Sequence, residues 1–385
     1  GLKNKWYLYG FLYCVFMVGG AVYYLRQHGN SRYNQLRIAV NVAVQVLLGF
    51  TLPFVMPMLG QPEFYFSYFW PLKYDYLFPD TLHSLPLYLS LYTILGTFVL
   101  APVASLLWGK RWYCSWVCGC GALANTFGDP WRHLTSPSTK AWRFEKVAVH
   151  SVLLLAFFLL AVAIGGQMLN DKSEAFVQFS YSVKSWYGFA IGSVLAGVVG
   201  TGLYPVLGPR VWCRNFCPMA AMLGVLQKAG RFRIRVKPDM CISCGNCTTY
   251  CEMGIDVRSY AQSNQSFTRA SCVGCGMCAH VCPRGVLRLE NTWEQADDKV
   301  RQGEWIDDTK GIVIGEGMAD RLGVDFSDWI TRHPDHAGDY RTAVLSCTAC
   351  TAETDCKAWL AEHERADRAP DFCRNNRLLE TLAKT

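Results

Sequence analysis

The chain has 385 residues, 51% hydrophobic and 17% charged, well short of the roughly one quarter charged that a soluble domain carries. Eighteen cysteines in a long chain without a secreted look point to metal rather than to a disulfide framework. The net charge of +7 needs no nucleic-acid partner, because the basic residues flank apolar stretches, where membrane topology explains them.

Five stretches reach the roughly 20 apolar residues that cross a bilayer as a helix: 6–25, 36–59, 85–108, 147–169 and 187–207. The chain starts at Gly1 without Met, and residues 1–26 read as a span rather than a cleavable signal. Cys14 lies inside the first span and reads as packing. Pro53 and Pro57 are expected to kink the end of the second span. Gly188, Gly192, Gly197, Gly200 and Gly202 in the fifth favour close helix packing in lipid. Loops 26–37, 109–146 and 209–240 fall on one side and hold 16 Lys and Arg; 1–5, 60–84 and 169–186 fall on the other and hold five. The basic side is the cytoplasmic one. The N-terminus is then periplasmic, and everything after the fifth span is cytoplasmic.

Loop 60–84 holds nine aromatics between Phe64 and Phe78. It reads first as an interfacial belt or half-inserted segment, and alternatively as a quinone pocket or an outer docking face. His83 lies beside it, placed to hydrogen-bond a quinone. His28 and His150 stand at the inner ends of spans, as a pair of b-type haem ligands or as interfacial residues.

The third and fifth spans end alike. Gly109-Lys-Arg-Trp-Tyr-Cys114-Ser-Trp-Val-Cys118 aligns without a gap on Gly208-Pro-Arg-Val-Trp-Cys213-Arg-Asn-Phe-Cys217. Both spans run in one direction, which makes a parallel repeat with functional groups at its interface. Each C-x3-C is expected to set two thiols on one helical face. Cys114, Cys118, Cys213 and Cys217 would together suit a third iron–sulfur cluster at the membrane surface. A redox-active dithiol, a Cu(I) site or four unmetallated thiols are the alternatives. Cys120 is a spare that could replace Cys118.

Next come Cys241-Ile-Ser-Cys244-Gly-Asn-Cys247-Thr-Thr-Tyr-Cys251 and Cys272-Val-Gly-Cys275-Gly-Met-Cys278-Ala-His-Val-Cys282-Pro283. Each is C-x2-C-x2-C-x3-C, the spacing that wraps a tight loop around a [4Fe–4S] cube. The fourth cysteine of each run crosses to the other cube in two-cluster ferredoxins. One cluster is therefore expected on Cys241, Cys244, Cys247 and Cys282, the other on Cys272, Cys275, Cys278 and Cys251. Zinc knuckles do not use this run twice. Glu252 stands where the bacterial run has proline, and His280 is placed to tune the second cluster.

Residues 291–385 turn more polar. They carry Cys347-x2-Cys350-x5-Cys356-x16-Cys373, expected in a small helical domain at 317–379. Four cysteines on a reducing side are not disulfides; zinc and a further cluster are the two readings. His333 and His336 read as surface residues.

Spans, C-x3-C repeats at membrane ends and a following double-cluster run resemble the NapH/NosR-type membrane polyferredoxins over about residues 85–290. Cys213-x3-Cys217-Pro218 matches that family's C-x3-C-P in full, whereas Cys118 is followed by Gly119. The C-terminal segment resembles a short cysteine domain of unknown function from proteobacteria. The resemblance implies electron transfer between a quinone pool or cytoplasmic donor and periplasmic reductases or their maturation. Nitrous-oxide-reductase relatives carry an outer flavin domain before the first span; none precedes it here, so an outer partner is expected as a separate subunit.

The fold class expected is thus a polytopic α-helical membrane protein of about five spans (1–229). A cytoplasmic α+β two-cluster ferredoxin (230–290) and a mainly α C-terminal domain (291–385) follow. The function expected is a membrane-bound electron-transfer subunit of the bacterial inner membrane, working with lipid, redox partner proteins and quinone. A copper or thiol assembly factor for a periplasmic cuproenzyme is the alternative, and a subunit with structural clusters a third reading.

Overall fold

Apolar length decides the first half of the chain. Five helices are long and apolar enough to cross a membrane: Tyr7–His28, Arg32–Leu59, Leu87–Trp108, Thr139–Met168 and Glu174–Gly202. The computed structural model describes residues 5–29, 31–169, 173–238, 240–292, 318, 319, 321–324, 343, 346, 347, 350 and 352–382. Side chains such as Leu48, Phe98, Leu154 and Phe158 stand exposed along the helices, an apolar surface of the kind that lipid covers.

The fifth span starts earlier than its hydropathy indicates. Ser173 caps it, its Oγ accepting from Phe176 N at 3.4 Å. Polar residues between Glu174 and Lys184 mask this stretch. Packing on the fourth span supports it: Ser180 Oγ donates to the Val162 carbonyl (3.3 Å), with Gly166 leaving room for Ser180. The glycines expected to pack divide. A side chain at Gly188 would meet Tyr74 and one at Gly200 would meet Trp212, but Gly192 and Gly197 face open space. The second span loosens into wide turns over Gln45–Thr51 before tightening over Met56–Leu59 and stopping at Gly60, φ 74°. Pro53 has no N–H to give the preceding turn, so the irregularity begins upstream of the proline.

The aromatic loop folds inward. Phe64, Phe69, Trp70, Tyr76 and Phe78 are all buried. Phe64 stacks on Tyr76 at 4.9 Å, Trp70 packs edge-on to Phe157, and Phe69 lies 6.0 Å from Tyr113. Tyr113 donates to the Ser67 carbonyl at 2.9 Å. The loop reaches the first C-x3-C motif.

Strand β1 (Phe232–Val236) pairs antiparallel with β2 (Leu287–Asn291), Ile234 opposite Leu289. Both cysteine loops lie between them, each followed by a short helix, Asn246–Thr249 or Met277–His280. Gly245 (φ 83°) and Gly276 (φ 80°) take the left-handed turn that starts each helix. This is an α+β unit. It docks on the helical bundle through its second loop. Ser115 Oγ donates to the Val273 carbonyl (2.7 Å), Tyr33 to that of Gly274 (2.7 Å) and Gln227 Nε2 to that of Cys272 (3.0 Å).

Beyond residue 317, Met318, Ala319, Val324, Ala369, Leu379 and Leu382 form a small core around helices Glu353–Glu362 and Asn376–Leu382. Met240, next to Cys241, packs against that core. His333 and His336 lie outside the described residues.

Candidate iron–sulfur centres

The two ferredoxin loops cross as their spacing requires. A cavity holding about 350 Å³ free of protein atoms is lined by Cys241, Cys244, Cys247 and Cys282. A second, about 380 Å³, is lined by Cys251, Cys272, Cys275 and Cys278, with Glu252 on its wall. In each, the fourth cysteine comes from the other run. Burial pushes the Cys247 thiol up to about 12, and the thiols of Cys282, Cys244 and Cys241 add to it. Burial likewise pushes Cys272 up to about 11. Thiols so placed become thiolates only when a cationic centre joins them. Among the described residues, no three Cys, His, Asp or Glu side chains converge on a point fit for one metal ion. In these two loops the sulfurs surround a space instead, as the corners of a cube need.

The repeat is real in three dimensions. Gly109 (φ 69°, ψ 174°) and Gly208 (φ 85°, ψ 165°) end their spans in one conformation. Cys118 N then donates to the Tyr113 carbonyl and Cys217 N to that of Trp212, its counterpart. The expectation of two thiols on one helical face fails in both halves. Cys114 closes the short helix Arg111–Cys114, and Cys118 caps the next, Gly119–Asn125. Cys213 and Cys217 divide in the same way, with Pro218 starting the second helix. Proline suits a first helical turn and cannot continue an earlier one.

The four cysteines nevertheless share one buried cluster. Burial raises Cys217 most, followed by the effects of Cys213, Cys114 and Cys118. Burial pushes Cys213 up to about 12 against the lowering effect of Arg210. Cys120 hydrogen-bonds with Cys118, which raises the latter.

The motifs that carry this set pack against the first two apolar helices. Tyr13 donates to the Gly119 carbonyl (2.9 Å) and Gln45 Nε2 to that of Val117 (2.5 Å). Gln45 lies about 20 Å along its helix from Arg32, at 1.5 Å per residue. The motif folds back from the end of the third span into the bundle, with Trp112 Nε1 donating to Ser105 Oγ (3.0 Å).

Spacing gave no hint of the ion network under this set. Arg210 Nη2 donates to Glu252 Oε1 (3.1 Å) and Asn125 Oδ1 (2.6 Å), and its Nη1 to the Cys114 carbonyl (3.2 Å). Arg132 pairs with Glu252 (2.9 Å) and with Asp129, and Asp129 with His28 (3.3 Å). Arg37 reaches Asn125 and Tyr24. Burial would raise the Glu252 carboxyl, but Arg210, Arg132 and Arg37 outweigh it and hold the group at about 2. Three arginines face two carboxylates, and Nε of Arg37 and of Arg210 has no acceptor. An anionic cluster fits such a donor excess. Two signals were in the sequence: the arginine aligned in both repeats, and Glu252 in place of proline.

In the C-terminal unit, Cys356 is pushed up to about 11 by burial, then by Cys373, Cys347 and Cys350. Asn375 Nδ2 donates to Cys347 Sγ at 3.1 Å. The proposed haem and quinone histidines stand elsewhere. His28 binds Asp129 and packs on His280, His150 meets the Lys146 carbonyl on an exposed face, and His83 is exposed.

Comparison with known proteins matches these parts. A 4Fe-4S binding domain model matches twice, at 90–136 and 190–237, one match over each C-x3-C motif. A 4Fe-4S dicluster domain covers 234–289, and a family of unknown function covers 309–385. The putative electron transport protein YccM of Escherichia coli is 29% identical over 161 residues, 40% of this chain and 44% of that protein. The regulatory protein NosR of Stutzerimonas stutzeri is 26% identical over 42% of this chain and 22% of its own. The methylamine utilization ferredoxin-type protein MauN of Methylobacillus flagellatus is 26% identical over 41% and 53%. The chain thus spans about half or less of these relatives. No solved structure matches it. A doubled cysteine repeat in a multi-pass bundle, followed by a dicluster domain, makes the chain similar to the iron–sulfur polyferredoxins of the NapH/NosR type.

Proposed function

We propose that this chain relays electrons between the cytoplasm and the interior of a bacterial inner membrane. The observation that carries this reading is the pair of four-cysteine cavities stacked on a third four-cysteine set inside the bundle. Cys241, Cys244, Cys247 and Cys282 hold one [4Fe–4S] cluster, and Cys251, Cys272, Cys275 and Cys278 the next. Cys114, Cys118, Cys213 and Cys217 hold a third. Cys347, Cys350, Cys356 and Cys373 hold a fourth cluster or zinc. Bound clusters supply one-electron transfer at potentials set by their surroundings.

The chain's own residues set the order. Ser115, Tyr33 and Gln227 hold the second ferredoxin loop against the membrane set. Met240 joins the far loop to the C-terminal unit. The relay then runs from the C-terminal unit through both ferredoxin centres into the bundle. The Lys and Arg bias puts the ferredoxin on the cytoplasmic side and the N-terminus in the periplasm. Tyr13, Gln45 and Tyr68 surround the turn at Gly119, between apolar helices that an apolar quinone can approach from lipid. Quinone is therefore the membrane reactant we assign, and a separate redox protein is the partner.

Iron, copper, zinc and acid-labile sulfide analysis with EPR on the purified protein tests this. About 12 irons per chain are expected, or about 16 with a C-terminal cluster. About eight irons, with copper bound at Cys114, Cys118, Cys213 and Cys217, would replace the relay with the cuproenzyme-assembly reading.

A further inference from the structure

Glu252 follows a cluster-loop cysteine where the bacterial run has proline. Its side chain lines the cavity of Cys251, Cys272, Cys275 and Cys278, and it is wholly buried. Arg210 is wholly buried as well. One guanidinium contacts the carbonyl of Cys114 (3.2 Å), the Sγ of Cys213 (3.8 Å) and the Glu252 carboxylate (3.1 Å). These contacts link both halves of the membrane repeat to the ferredoxin domain. A proline after Cys251 would offer none of them.

We propose that Arg210 and Glu252 are a charge link that sets the potentials of the membrane centre and the adjacent ferredoxin centre against each other. The proposal rests on the reading of both sets as iron–sulfur centres. Transfer between them moves one electron out of one cluster and into the other, with no bond made or broken. A nearby cation favours the reduced, more negative cluster, and a nearby carboxylate opposes it. Arg210 lies against the Cys213 ligand, so it raises the membrane centre most. Glu252 lies beside Cys251, so it lowers the ferredoxin centre most. The difference drives electrons from the ferredoxin toward the membrane. Arg132, Arg37, Asp129 and His28 complete the ring of charges around the pair. They remain in every variant below, so the difference between variants isolates the link.

The test is a redox titration followed by EPR on the full chain in detergent, for wild type, Glu252→Gln, Arg210→Gln and the double variant. Glu252→Gln is expected to raise the ferredoxin centre most, and Arg210→Gln to lower the membrane centre most. The double variant, which buries no unpaired member of the link, moves the two centres in opposite directions. It carries the test if a single variant fails to assemble. Unmoved potentials at full iron content, or two centres shifting together in the double variant, would overturn the link. About eight irons in the wild type would overturn the membrane-cluster reading itself, before any variant is compared.

Discussion

Gly109 is a position where a single methyl should cost heavily. Its φ of 69° with ψ of 174° lies in a region that L side chains scarcely enter. Holding alanine there costs about 1–3 kcal/mol. The added Cβ would also stand 2.6 Å from Phe232 Cβ, at the first residue of β1, and 2.6 Å from Gln227 Oε1. Phe232 is fully buried and stacked beneath Arg111, so it has nowhere to retreat. Overpacking of that kind adds about 1–3 kcal/mol. Gly109→Ala should therefore destabilise by about 2–6 kcal/mol. Gly192 is the internal control, since it lies in a span with open space around its Cα. Gly192→Ala should be neutral or stabilise by up to about 1 kcal/mol. Chemical denaturation of the purified protein in micelles, with iron content read in parallel, measures both. Equal stability of the two variants would refute the claim that the turn at Gly109 fixes the cysteine motif against the ferredoxin sheet.

Four further outcomes follow from the same geometry. Ser115→Ala should weaken docking by about 1 kcal/mol, the worth of one buried hydrogen bond, read as faster proteolysis between the bundle and the ferredoxin. Asp129 is held below its ordinary value: burial raises it, but Arg132 and His28 outweigh that. Its stabilisation is full above the unfolded value of about 4 and is lost as pH falls through the lower folded value. The stability gap between wild type and Asp129→Asn should close over that acidic window, and a gap independent of pH would exclude the ion pair as its source. Cys251→Ser should disturb the EPR signal of the cluster held by the second run, and Cys282→Ser that of the first; the reverse pattern would contradict the crossing. Cys118 aligns with Cys217 and caps a helix as it does, so Cys118→Ser should lose about four irons and Cys120→Ser none.

What the sequence disclosed was local. Four-cysteine spacing is read within a dozen residues, and the crossing rule groups Cys282 with the first run and Cys251 with the second, the grouping that lines the two cavities. Apolar length alone located five spans. The missed features all depend on contacts between distant segments. Polar residues from Glu174 to Lys184 hid a helix that the fourth span supports through Ser180 and Gly166. Nine aromatics in one loop look the same whether they are exposed or packed inward; the burial of five of them rests on partners far along the chain, as in the Tyr113–Ser67 bond, 46 residues apart. C-x3-C looks like one helical face until the backbone breaks between its cysteines.

The two departures from the family pattern, Gly119 and Glu252, then find one explanation. Both replace a proline that follows a cysteine, and each stands where another part of the chain closes on the motif. A Cβ at Gly119 would already meet Gln45 Oε1 at 2.9 Å and the Tyr13 hydroxyl at 3.3 Å; a pyrrolidine ring is larger still. Glycine lets Tyr13 and Gln45 of the first two apolar helices and Tyr68 of the aromatic loop close over the first motif. Pro218, its counterpart in the second repeat, is buried at the head of a regular helix. At Glu252 the requirement is reversed, because three buried arginines need a carboxylate there and a proline could not supply it. Where the parallel repeat is symmetric, the cysteines and their turns match. Where it is not, Gly119 stands opposite Pro218 and meets Tyr68, Gln45 and Tyr13, while Glu252, outside the repeat, meets Arg210 from the ferredoxin side.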